Sequence, residues 1–478
     1  MMLKRPAYHL YSLLAEKSPA QLLPWNQGDP PVRGDPRKTV VWIEGLRGMA
    51  SFLVILTHLA RAWDYELFAP RDNPDVPPRL LQLPILRIPW QGRIGVTIFG
   101  FLTGYVCALK PLRLRRSGNI QGAFSSIAKS AFRRPPRLIF PATIAMCCSW
   151  LIAQLGGFTV ANRSDSDWCR YASPDLEDSL WKEILRLFKN FLGVWTTGYM
   201  AYDDHQWALL PLLNASMVVY IVTFATMYCT FKWRALILLI LIGYYHQSNF
   251  VNVETFQLQA LFGMLLSDLS NEQFYKDFIN NRKLRWPRRL FCLVATICGL
   301  FIASYPGERP DLAEWSKKME WWAHRIFPKD SNIGRRYSAL GLDLIILAII
   351  SSPTTMEILS NRLFLWLGKH SFSVYLTHGT MLRVPLVWML YGISGQPWVW
   401  TTGPDGQPVQ PPWLKRRPPW VFCIAIPTWL VMVYIVASLW TNYVDPFCAR
   451  MTQKLEDKFF EKEERNTPSI PMTERPTN

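Results

Sequence analysis

Glu44-Gly45-Leu46-Arg47-Gly48-Met49-Ala50-Ser51-Phe52-Leu53-Val54-Ile55-Leu56-Thr57-His58 decides how the rest of the chain is read. It belongs to a block, residues 45–63, that is apolar apart from two arginines, one histidine and two hydroxyls. A run of about 20 such residues is long enough to cross the hydrocarbon of a bilayer as a helix. Similar blocks follow at residues 92–109, 138–155, 208–231, 235–251, 254–269, 290–305, 337–351, 364–389 and 419–441. The blocks predict an all-α integral membrane protein, a bundle of ten transmembrane helices. Composition agrees, since half of the 478 residues are hydrophobic and only 18% are charged, against roughly a quarter charged in soluble domains. The same figures exclude disordered, collagen-like and disulfide-scaffold classes.

An even number of spans puts both termini on one side, and the basic residues say which. Lys110, Arg113, Arg115 and Arg116 follow the second block, Lys232 and Arg234 the fourth, and Lys283, Arg285, Arg288 and Arg289 precede the seventh. The positive-inside rule places this richer side, with both termini, in the cytoplasm. The net charge of +17 therefore reads as topology and contact with anionic lipid of the bilayer, with no nucleic acid as partner. The expected organisation is a cytoplasmic N-terminal segment (1–44), a ten-span membrane domain (45–446) and a charged cytoplasmic tail (447–478), in the endoplasmic reticulum or plasma membrane. The first 44 residues are Pro-rich and polar without a signal-peptide pattern, so the first span is expected to serve as the insertion signal.

The nine cysteines form no CxxC, and neither a disulfide framework nor a metal site is expected. Two outer loops are long, 156–190 and 306–336. Asn162-Arg163-Ser164 in the first is a glycosylation candidate if that side is lumenal. In the second, Leu312, Trp315, Met319, Trp322 and Ile326 recur at helical spacing opposite Lys317, Lys318 and Arg325, the pattern of a helix lying in the membrane interface.

Arg47 and His58 carry the chemistry. Eleven helical steps come to about 1100°, some 20° past three turns, so both side chains share a face about 16 Å apart. That gap excludes direct contact and suits a long substrate in one tunnel, anionic end at Arg47 and reactive group at His58. Coenzyme A thioesters have this shape, and histidine is well poised to accept a hydroxyl proton near neutral pH. The structural alternative is an arginine snorkelling to headgroups and a hydrogen-bonded core histidine, but ionisable groups inside membranes tend to be functional. Arg113, Arg115, Arg116, Arg133, Arg134 and Arg137 form an acid-free cytoplasmic stretch whose guanidinium forks suit phosphate or anionic lipid. His378 and Tyr375 are neighbours on one helix face. With Ser371 and Lys369 they make a possible supporting polar cluster, structural or catalytic. His205 and His246 are expected near the outer surface.

Arg47 through His58 resembles the R-x10-H signature of the membrane-bound acyltransferase-3 family, and the resemblance continues in chain order. Gly95-Val96-Thr97-Ile98-Phe99-Gly100-Phe101-Leu102-Thr103-Gly104 is similar to that family's second-span G-V-x-x-F-F-x-L-S-G. Arg133-Arg134-Pro135-Pro136-Arg137-Leu138, with Pro141, resembles its R-x-x-R loop and following Arg-Leu-x-x-Pro. Phe262-Gly263-Met264-Leu265-Leu266 and Leu367-Gly368-Lys369-His370-Ser371-Phe372-Ser373-Val374-Tyr375-Leu376-Thr377-His378 resemble its sixth- and ninth-span segments. Together these motifs spread from residue 42 to residue 446. The resemblance implies ten spans and acyl transfer, often of acetyl, from a cytoplasmic acyl-CoA to a hydroxyl. It implies His58 as the base, Arg47 as a group holding the donor, and Arg133, Arg134 and Arg137 as its basic site, with acyl-CoA as co-substrate and no bound cofactor.

One motif departs. Where the family reads W-T-[LI]-P-x-E, this chain has Trp207-Ala208-Leu209-Leu210-Pro211-Leu212, with Leu212 at the acid position. Asp203 or Asp204 substitutes from the loop, or Asn214 does, or the acid is dispensable. The expected function is O-acylation of a small hydroxylated acceptor, a secondary metabolite such as a terpenoid or polyketide, with a sugar or cell-surface glycan as the alternative. A membrane transporter or a catalytically silent relative is the reading from another class.

Overall fold

The computed structural model describes residues 40–460 except 92, 249, 393–400 and 403–406. Most of the expected N-terminal segment and the end of the tail lie outside the described residues. The main helices are α1 (Val41–Trp63), α2 (Arg93–Arg116), α3 (Ile120–Gln154), α4 (Leu180–Thr196), α5 (Leu209–Ala225), α6 (Phe231–Gln247) and α7 (Gln257–Leu269). They continue with α8 (Arg285–Ala303), α9 (Glu314–Ile326), α10 (Ile333–Ile350), α11 (Arg362–Met381), α12 (Pro419–Leu439) and α13 (Asp445–Phe459).

Each of the ten expected blocks is helical, but they are not equal. Among the described residues six helical segments could cross a membrane by length and composition, or seven if α10 and the short Pro353–Leu359 helix, bent by 104°, are counted as one span. The shortfall has a physical reason. At 13 residues, α7 is about 20 Å long, well under the roughly 30 Å hydrocarbon thickness, and α6 carries Lys232 and Arg234 within its first turn.

One further expectation is corrected and another refined. Residues 133–137 are not a loop: α3 is one helix of 35 residues that carries Pro135, Pro136 and Pro141 inside it, so the carbonyls of Ala131, Phe132 and Arg137 lose their helical donors. The expected interfacial helix begins at Glu314, and its apolar residues divide. Met319 turns inward beside Tyr305, Phe327 and Tyr337, while Trp322 and Ile326 are exposed.

The core is built on close helix approach. α2 is the most enclosed of the long helices and α8 the least. α1 lies along α11 almost backbone to backbone, because a Cβ at Gly48 would meet Gly368 N and Phe364 O at 2.5 Å, and one at Gly368 would overlap Glu44 O. Small residues permit this approach where bilayer lipid offers no hydrophobic drive for association. The consequence is positional, since α1 carries Arg47 and His58 and α11 carries Ser371, Tyr375 and His378.

Candidate active site

A cavity of about 430 Å³ is walled by residues of α1, α2, α3, α5 and α11. Arg47, Thr103, Arg134, Arg137, Ser371 and Tyr375 are among its walls. The Arg47 Nη1 donates to Glu44 Oε2 at 2.8 Å, and Arg134 Nη2 reaches Thr103 Oγ1 at 3.4 Å. Arg134 Nε is buried with no protein partner. Arg133 faces another way. Its Nη2 donates to Glu456 Oε1 at 2.7 Å and its Nε to Glu456 Oε2, tying α3 to α13. Of the three arginines marked by the resemblance, two line the cavity and the third is held by an acid.

The cavity ends against Tyr375, whose hydroxyl donates to the main-chain carbonyl of His205. His58 is not among the walls, so Arg47 and His58 do not line one cavity as expected. Beyond Tyr375 three imidazoles meet. The ring centroids of His58 and His205 are 3.9 Å apart, those of His205 and His378 4.6 Å, and those of His58 and His378 5.3 Å. Trp168 stacks on His58 at 5.6 Å. His205 and His378 are buried and His58 is half-buried.

Each ring is held by its surroundings. His205 Nδ1 lies 2.6 Å from Asp203 Oδ1. His378 Nδ1 lies 2.9 Å from Val374 O and 3.0 Å from Tyr375 O; a carbonyl only accepts, so this nitrogen carries the proton. Burial alone would raise the Asp203 pKa, but the charge and hydrogen bond of His205 and the charge of Arg383 bring it below its ordinary value. Arg383, fully buried in a π-helical turn that follows α11, donates to Gly379 O at 3.1 Å, to Tyr202 O at 2.8 Å and to Ala172 O, and reaches Asp203 Oδ1 at 3.4 Å. It fastens the outer loops onto α11.

His205, expected near the outer surface, is 2% exposed and lies against His58. His205, Arg383 and Trp168 carry no motif; of their neighbours, Asp203 and Asp204 were offered with Asn214 as substitutes for the missing acid. Leu212 lines the cavity and Asn214 is exposed, which leaves Asp203, with Asp204 Oδ1 at 3.1 Å from His205 Nδ1, as the acids at the site. Ser371 and Tyr375 stand on the cavity side of α11 and His378 among the imidazoles. Lys369 is half-buried, about 13 Å of helix from His378. Asn162 donates its amide nitrogen to Pro174 O at 3.1 Å and Asp175 Oδ1 at 2.9 Å, and Ser164 is fully buried. The atom that glycosylation would modify is thus engaged in the folded chain.

A second cavity, of about 470 Å³, lies on the other side of the imidazoles. Arg61, one turn beyond His58 on α1, lines it with Trp63, Tyr65, Asp165, Trp168 and Arg416. Trp168 therefore touches both this chamber and His58.

Residues 40–443 match the acyltransferase domain that defines the acyltransferase-3 family. The chain belongs to this family. It is 24% identical to O-acetyltransferase PaAT-1 of Phomopsis amygdali over 377 residues, covering 72% of each chain. It is 22% identical to acyltransferase R4 of Phoma sp. (strain ATCC 20986 / MF5453), covering 72% of this chain and 82% of that one. It is also 22% identical to acyltransferase clz18 of Cochliobolus lunatus, covering 75% and 85%. No solved structure matches. The protein is an acyltransferase, and its apolar helices make it a membrane protein.

Proposed function

We propose that the protein is a membrane-bound O-acyltransferase that moves an acyl group, acetyl in the first instance, from acyl-CoA to a hydroxyl of a small acceptor. The observation that carries this reading is the arginine-walled cavity that runs from Arg47, Arg134 and Arg137 to Tyr375, with His58 just behind it. The donor's phosphates pair with the guanidinium forks, and the pantetheine arm follows the cavity inward. Its volume is within the range of small-molecule sites. A swing of Tyr375 off the His205 carbonyl joins the cavity to His58.

His58 then takes the acceptor's hydroxyl proton while the oxygen attacks the thioester carbonyl. The tetrahedral intermediate collapses, the carbon–sulfur bond breaks, and the coenzyme A thiolate leaves with the proton returned by His58. His205, held by Asp203, stands edge-on to His58 and supplies through an imidazole the negative partner that Leu212 cannot. PaAT-1 is named an O-acetyltransferase, which supports oxygen as the acceptor atom and acetyl as the group. The acceptor is a hydroxylated secondary metabolite of the terpenoid or polyketide kind. A sugar-like acceptor is the second reading, favoured by the charged and aromatic lining of the second cavity.

In this reading α6, α7, α10 and α11 complete ten spans, and both termini face the cytoplasm of an endoplasmic reticulum or plasma membrane. The test is detergent-purified protein given labelled acetyl-CoA with panels of lipophilic alcohols and of sugars. Transfer should fall about 10²–10⁴-fold in His58→Ala, with folding intact. Unchanged transfer in that variant refutes the base assignment.

A further inference from the structure

We propose that His58, His205 and His378 form a binding site for a divalent transition metal, zinc foremost, whose occupancy silences acyl transfer by engaging His58. The metal site stands on geometry alone; the silencing rests on the reading of His58 as the base.

One ligand nitrogen from each ring lies within 4.8 Å of the other two. Zinc–nitrogen bonds are about 2.0–2.1 Å, which sets ligand nitrogens about 3.4 Å apart in a tetrahedral site. The three rings need to close by on the order of 1 Å, a matter of ring rotation. Their unused atoms point to a ligand. His58 Nδ1, His205 Nε2 and His378 Nε2 are all buried without a protein partner. An orphaned buried lone pair is costly, and one cation satisfies three at once.

The opposite nitrogens are already arranged as in metal sites. His205 Nδ1 meets a carboxylate and His378 Nδ1 two main-chain carbonyls, the outer contacts that fix a ligating histidine's tautomer and ring. The Asp203 and Asp204 carboxylates beside His205 offset the cation's charge against Arg383. Imidazole ligands select zinc, copper, nickel or iron over magnesium and calcium. The ligands come from α1, the loop before α5 and α11, so no sequence spacing announces them.

The experiment uses the full chain in detergent, stripped with a chelator and titrated with Co²⁺, read by the visible bands of a tetrahedral cobalt–imidazole site, then displaced by Zn²⁺. One equivalent per chain is expected. It should vanish in His205→Ala and His378→Ala and persist in His246→Ala. Should those two variants fail to fold, Asp203→Asn decides: it removes only the outer contact and should weaken binding about 10–100-fold. Saturating zinc should stop acyl transfer, and chelator should restore it. Absence of the cobalt bands, or affinity unchanged in Asp203→Asn, overturns the site, and acetyl transfer by such metal-free protein would leave the enzymatic reading standing. Zinc bound stoichiometrically without loss of transfer overturns the silencing.

Discussion

Gly379→Ala should disable the enzyme without unfolding it. A Cβ at Gly379 would overlap both Asp203 Oδ1 and His205 Nδ1, so these atoms must retreat on the order of 1 Å to regain ordinary contact. Neither has room. Asp203 is 1% exposed and backed by Arg383, which is itself fully buried and anchored on Ala172, Tyr202 and Gly379. Overpacking of this kind costs about 1–3 kcal/mol, and the 2.6 Å His205–Asp203 contact is worth about 1.5–3 kcal/mol as a hydrogen bond to a charged group. A shift of about 1 Å at a positioned group costs about 100-fold in rate. We therefore expect kcat to fall about 100-fold with the KM for acyl-CoA unchanged, since Arg47, Arg134 and Arg137 lie across Tyr375 from the lesion. Steady-state acetyl transfer and a melting curve measure both. In an Asp203→Ala background the carboxylate contact is gone and His205 has room to shift, so Gly379→Ala should add less, with a coupling above about 0.5 kcal/mol. Wild-type kcat in Gly379→Ala, or strict additivity of the two changes, refutes the reasoning.

The remaining predictions concern charge. Arg134→Ala should raise the KM for acyl-CoA, whereas Arg133→Ala should leave it unchanged and lower the melting temperature, because Arg133 is engaged by Glu456; equal KM effects would show that both touch the donor. Asp268→Asn breaks a fully buried pair with Arg234 at 2.6 Å and a contact with Arg116 at 2.7 Å, and should destabilise the fold by about 3–5 kcal/mol, read by thermal or denaturant unfolding. A variant as stable as the parent would show that this pair does not hold the fold together.

What the sequence made legible was local. Apolar blocks identify helices because span length and hydropathy belong to contiguous residues, and Arg47 and His58 share a helix, so their phase follows from a single period. Hydropathy does not report where hydrogen bonding continues, and α3 therefore runs on through Arg133–Arg137 although two adjacent prolines read as a break. The split between Arg133 and Arg134 is a 100° step on that helix, visible only once Glu456 is seen on the other side. The imidazole cluster was out of reach for a different reason. His205 stands in a polar loop far along the chain from His58, and what brings them together is a set of glycines and one buried arginine, residues whose sequence signal is close to none. Leu212 shows why this matters for function. The fourth-span acid is absent from its motif position, and the sequence left Asp203, Asp204, Asn214 or no group at all in its place. The fold brings a carboxylate from the preceding segment, Asp203, onto His205, whose ring meets His58, and under the proposed role of His58 as the base this is the acid that stands in for the lost one. A site of this kind is specified by which groups converge, and it tolerates the loss of a motif residue wherever another segment can place the same charge at the same ring.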